Sequence, residues 1–218
     1  MVEFIEPGPR RVNICCGAVL FDSGTGNTDS TTFTGALRRY YVRQLGLRCH
    51  QYQTVKNDPN FNLDDYGLIH LVLPRQNPDW WADRLNWNPC FGPKRIAVSG
   101  DYDGQGSYGF RVRNTINAMG LGMTIGEDIM PNGGFPLTVI PHQLNTAVTQ
   151  FTSSANSRVN GGNRLSEATN TDEEEPRKIP WLAQNKVGEI DYVLDGTPSI
   201  WQSDDNNKFF KNLWRVKP

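Results

Sequence analysis

Between Val12 and Leu20 the chain runs almost without a polar side chain (Val-Asn-Ile-Cys-Cys-Gly-Ala-Val-Leu), the pattern of a strand buried on both faces. Phe21 to Asp29 is Gly-rich and polar, and Ser30 or Thr31 offers a hydroxyl to cap a helix. Apolar positions then recur as Phe33, Leu37, Tyr40, Tyr41 and Leu45, which is helical spacing, and Gly46 is placed to end that helix in a left-handed conformation. The rhythm repeats. Arg48 to Val55 predicts a second strand, Gly67 to Leu73 a third that Pro74 stops, and Lys94 to Gly100 a fourth. Pro78 to Trp87 predicts a short helix with Pro78 in its first turn. Val112, Ile116 and Met119 mark the buried stripe of another helix, closed by Gly120, and Leu121 to Ile125 predicts a fifth strand. Strand alternating with helix argues for βα units and an α/β fold: a three-layer, mostly parallel sheet.

After Ile125 the pattern changes. Asn132 to Gly162 is rich in Gly, Pro, Asn, Thr and Ser, with short alternating pieces such as Ala147 to Phe151. Residues 131–186 therefore read as a loop-rich or β-rich insertion covering one edge of the sheet. The charge run within Asn170 to Lys178 reads as a solvated loop. Gly188 to Gly196 predicts a strand ending on an acidic turn, and Asp205 to Trp214 a short closing helix. The organisation expected is one domain over residues 1–218, with an N-terminal arm (1–11), the insertion (131–186) and a closing strand and helix (187–218). There is no internal repeat.

Composition narrows the function. Lys+Arg number 22 against Asp+Glu 23, for a net charge of −1, so no basic surface is expected to hold a nucleic-acid backbone. No apolar run approaches the ~20 residues needed to span a bilayer. Met1 to Arg11 lacks the order of a signal peptide, which predicts synthesis in a cytoplasm. Cys15, Cys16, Cys49 and Cys90 show no Cys-x-x-Cys spacing, so buried free thiols are expected rather than zinc.

Several stretches in order carry a resemblance: Phe33 to Gly46, Asp64-Asp65-Tyr66-Gly67-Leu68-Ile69, Gly92-Pro93-Lys94-Arg95-Ile96-Ala97-Val98-Ser99-Gly100-Asp101, Asn114 to Gly120, Pro136-Leu137-Thr138 to Phe151, and Val187 to Asp195 followed by Asp205-Asn206. Over Val12 to Trp214 the chain resembles the class I glutamine amidotransferase-like (flavodoxin-like) domains, above all their non-catalytic, ThuA-like relatives. The resemblance implies the same fold. Catalytic members carry a cysteine on a glycine-flanked strand-to-helix elbow, with a histidine and an acid near the chain's end. Here no Gly-x-Cys-x-Gly occurs, and His50, His70 and His142 all lie far from the C-terminus. His70, within an apolar strand, reads as a core residue and His142 as a surface residue. The expectation is a fold without its nucleophile.

Other chemistry is thinner. Asp22-Ser23-Gly24-Thr25 after a strand has the look of a haloacid-dehalogenase loop, but Gly24 stands where the second carboxylate belongs. Gly24 to Thr28 lacks the lysine of a phosphate loop. Asp22, Asp101, Asp103 and Asp195 follow predicted strands and so share the rim where ligands of open α/β sheets bind. Carboxylates there suit Ca²⁺ or Mg²⁺, although Asp equally favours helix caps and turns, and no cofactor is otherwise expected. Trp80, Trp81 and Trp87 cluster near a Pro-rich turn and divide evenly between core and partner contact. Balanced charge and long polar loops point to a non-catalytic structural or interaction protein, a subunit bound to other protein subunits in a larger assembly such as a virus particle. The competing class is a ligand- or metal-binding domain, or a hydrolase using the acidic rim.

Overall fold

A computed structural model of the chain describes residues 17–21, 39–55, 57–61, 66–72, 94–99, 113–114, 116–128, 135–153, 157–170, 177–196 and 204–216. Its strands are numbered in chain order. β1 (Gly17–Phe21) lies between β2 (Arg48–Gln51) and β3 (Leu68–Val72), β3 pairs with β4 (Lys94–Ser99), and β4 pairs with β11 (Ile190–Asp195), every pairing parallel. The order β2-β1-β3-β4-β11 matches the 2-1-3-4-5 strand order of flavodoxin-like parallel sheets. β10 (Arg177–Val187) reaches β11 through a tight turn at Gly188, whose φ of 60° suits glycine. Antiparallel pairing then continues through β9 (Asn163–Asn170), β6 (Phe135–Val139) and β7 (Phe151–Ser153). Among the described residues this makes one nine-stranded mixed sheet.

Three expectations need correcting. The sheet is half parallel and half antiparallel, not mostly parallel. Within residues 131–186 lie β6, β7, β8 (Ser157–Asn160), β9 and nearly all of β10, so of the loop-rich and β-rich alternatives the segment takes the β-rich form, and β6, β7, β9 and β10 extend the sheet instead of covering its edge. The strand expected at Leu121–Ile125 is β5 (Thr124–Asp128), and it pairs antiparallel with β8 outside the main sheet. Gly120 and Gly122, at φ 68° and 66°, turn the chain away, and β11 takes the place beside β4. Two smaller differences follow: β2 stops at Gln51 and gives way to a helical turn over Tyr52–Val55, and the described part of the first helix carries a π-helical turn at Tyr40–Gln44.

Alternation along the central strands divides two apolar clusters between the faces of the sheet. Ile69, Leu71, Ile96, Val98, Tyr192 and Leu194 pack with Ile116 and Met119, the stripe the sequence marks as helical. Leu68, Ala97 and Val193 pack with Phe209, Phe210, Leu213 and Trp214 of the closing helix, Asp204–Arg215. Those four residues fall at i, i+1, i+4 and i+5, one helical face, while Lys208 and Arg215 stay exposed.

The closing helix is seated by charge as well as by apolar area. Arg95, buried on β4, donates from Nε to Asp191 Oδ2 on β11 at 2.6 Å. Its Nη1 donates to the carbonyls of Leu213 at 2.9 Å and Val216 at 2.5 Å. Carbonyls at a helix C-terminus lack partners and carry the negative end of the macrodipole, so a guanidinium there satisfies both. Gln184 Nε2 completes Asp191 at 2.5 Å. Arg95→Met leaves the Asp191 carboxylate buried without its cation. Urea denaturation should show a loss of about 3–5 kcal/mol, with part recovered in the Arg95→Met, Asp191→Leu double variant.

Candidate functional site

The face of the parallel strands beneath the closing helix carries a polar stripe. Arg95, Ala97 and Ser99 alternate along β4, and Asp191, Val193 and Asp195 stand beside them on β11 in register. His70 on β3 stands opposite Ala97. Ser99, Asp195 and His70 are 2 %, 1 % and 0 % exposed, so this is interior, not rim.

His70 is the hub. The Tyr41 hydroxyl lies 2.5 Å from His70 Nδ1, and Ser99 Oγ lies 2.7 Å from Nε2. A neutral imidazole has one N–H and one lone pair, so one hydroxyl accepts from it and the other donates to it. The ring stacks on Phe210, centroids 5.5 Å apart and planes 19° apart. Tyr41 in turn meets Phe210 and Trp214 edge-on. Burial drives the His70 pKa from 6.5 to about 3, and it raises the Tyr41 phenol well above 10. At neutral pH all three groups are therefore uncharged. A small void between sheet and helix, bordered by His70, Arg95, Ala97, Leu213 and Trp214, holds no more than about one water.

A serine hydroxyl against a histidine nitrogen is the first contact of a nucleophile and its base. No sequence motif announced it. The only signals are polar residues at alternate positions of apolar strands: His70 in Leu-Ile-His-Leu-Val, Arg95 and Ser99 in Lys-Arg-Ile-Ala-Val-Ser. His70 is the core residue its strand pattern predicts. His142 is half-buried, and its Nδ1 accepts from Leu144 N at 3.2 Å to cap the short turn Gln143–Asn145. His50 lies edge-on to Phe61 and Tyr66.

Of the candidate rim acids, Asp195 is buried at the end of β11 opposite Ser99. Asp22, Asp101, Asp103, Trp80, Trp81 and Trp87 lie outside the described residues, as do Cys15, Cys16 and Cys90. Among the described residues no three His, Cys, Asp or Glu side chains gather as a metal site, and no helix is long and apolar enough to cross a membrane. Cys49 is partly buried and packs against the closing-helix cluster.

His70 predicts an acid-dependent loss of stability. Its pKa is lower folded than unfolded, so the unfolded chain binds the proton first. The stabilisation is complete above pH 6.5 and falls as pH drops toward 3. The stability difference between the native chain and His70→Gln should shrink by about 3 kcal/mol between pH 7 and pH 4, measured by urea titration at each pH.

No protein-family model and no curated protein sequence matches the chain. Among solved structures it is similar to a ThuA-like protein of Bacteroides uniformis, with TM-score 0.56 and 12% identity over 92% of this chain and 91% of that one. It is also similar to a polyextremophilic β-galactosidase of the Antarctic haloarchaeon Halorubrum lacusprofundi, with TM-score 0.53 and 15% identity, covering 93% of this chain but only 30% of the β-galactosidase. At these identities the likeness is one of fold, and that fold is ThuA-like, in keeping with an amidotransferase-like α/β domain.

Proposed function

We infer that the chain is a non-catalytic member of this fold and serves as an interaction subunit within a larger protein assembly. The reading takes the fold as three-layered, with the closing helix on one face of the sheet and the 113–119 helix on the other. One observation carries it: both nitrogens of His70 are engaged with Tyr41 and Ser99 beneath the closing helix. The Ser99 hydroxyl beside this base is thereby spent on internal hydrogen bonding. The absence of any Gly-x-Cys-x-Gly in the sequence supports the same conclusion. The β-galactosidase likeness adds that this fold occurs as about a third of a larger chain, a setting in which it is one part among several.

Two measurements test the reading. A fluorophosphonate probe, which labels activated serines, should leave Ser99 unmodified in the folded chain. Labelling at Ser99 that His70→Gln abolishes would overturn the non-catalytic half. Light scattering across a concentration series, with cross-linking in the native source, should find the chain in a species heavier than one copy. A chain that is monomeric at every concentration and cross-links to nothing ends the assembly half.

A further inference from the structure

A second polar group lies on the other half of the sheet, on the antiparallel extension. Trp181 and Ser166 are 0 % exposed and Asn145 is 6 % exposed. Trp181 Nε1, Ser166 Oγ and Asn145 Oδ1 have no hydrogen-bond partner. Each such orphan costs about 1–3 kcal/mol if left dry, and buried polar atoms are seldom left so.

The three belong to adjoining elements. The β9–β10 ladder is irregular here: Pro180 lies opposite Glu167, Leu182 opposite Ser166 and Ala183 opposite Arg164, so Trp181 on β10 and Leu165 on β9 are each passed over and the register is restored beyond them. Asn145 Nδ2 donates to the Leu165 carbonyl at 2.8 Å and the Ile140 carbonyl at 2.7 Å. That seats its amide against the backbone one residue before Ser166. Leu144, Leu165 and Trp181 share one apolar cluster.

Their chemistry is complementary but not mutually satisfied. An indole N–H only donates, an amide oxygen only accepts, and a hydroxyl does both. A single water accepts from the first, donates to the second and bonds the third, the usual complement of about three bonds for a buried water. We propose that one internal water bridges Trp181 Nε1, Ser166 Oγ and Asn145 Oδ1, and pins the Gln143–Asn145 turn to the β9–β10 pair. The site takes a water rather than a larger ligand because its residues are sealed within the core. Its consequence is a pinned local irregularity: the indole passed over by the ladder has a partner, and the register recovers at Ala183 opposite Arg164.

A crystal structure of the full chain, at a resolution that resolves waters, tests this directly. The expected result is one ordered water at roughly 3 Å from all three atoms. An empty space, or direct pairing among the side chains, overturns it. A double-mutant cycle of Ser166→Ala and Trp181→Phe gives an independent reading. Each single change should lower the folding constant roughly tenfold, and the pair should lower it by less than the product of the two. Strictly multiplicative losses overturn the shared water. Should Trp181→Phe fail to fold, a crystal structure of Ser166→Ala decides: the water is displaced or disordered if Ser166 holds it, and its unchanged position overturns the proposal.

Discussion

The placement of the closing helix depends on one buried cation. Arg95 reaches from β4 to Asp191 on β11 and to the last carbonyls of the helix, tying two parallel strands and the C-terminal segment together. Burial alone pulls the guanidinium pKa down, and Asp191 opposes it. The net worth of such a pair is small, because desolvating two ions consumes most of their attraction. The drive to dock comes from Phe209, Phe210, Leu213 and Trp214, each contributing about 1.5–3 kcal/mol on burial. An apolar stripe, however, tolerates sliding by a turn. A guanidinium that must meet a carboxylate and two carbonyls together does not. Area supplies the energy, and Arg95 selects the seat.

The same face solves the problem of polar burial differently toward the other end of the strands. Nearer their C-terminal ends the helix covers the neutral trio Tyr41, His70 and Ser99. Hydroxyls and a neutral imidazole satisfy one another without charge, so they need no counter-ion from the helix above. Phe210 can then lie flat on His70, and Trp214 edge-on to Tyr41, with apolar rings making the contact. Seating by charge at one end and by rings at the other keeps the helix aligned along the strands.

What could be read in the sequence follows from how locally each element is specified. β3 announces itself because its run is apolar apart from His70, and β4 because Ile96-Ala97-Val98 form an apolar centre, with both faces of each strand buried. The closing helix was legible from its own stripe. β9 and β10 were not. Their outer side carries Glu167 between Arg164 and Lys178, an ion-paired surface that imitates a charged loop, and the irregularity at Trp181 interrupts the period of two just where it would have shown. The polar stripe was half visible: His70 reads as interior from its neighbours, but Tyr41 and Ser99 each stand 29 residues away, and Arg95 and Asp191 are 96 apart. Such pairings are properties of sheet order, and strand order is what a single sequence encodes least directly.

A serine beside a histidine at the C-terminal side of a parallel sheet invites an enzymatic interpretation, and the energetics favour the non-catalytic reading proposed above. A general base works best with a pKa near the operating pH. His70 sits at about 3, so taking a proton at pH 7 runs uphill by about 5 kcal/mol before any bond is made. In catalytic pairs a third group offsets that cost by stabilising the imidazolium, normally a carboxylate on the far nitrogen. The far nitrogen here meets Tyr41, a phenol whose own ionisation burial suppresses. It can orient the ring but supplies no negative charge. Exposing the pair to solvent would restore the histidine's basicity, yet that requires lifting Phe210 and Trp214 and so surrendering the core that positions His70 and Ser99. Access and geometry oppose each other in this arrangement, which supports the proposal that the trio is architecture.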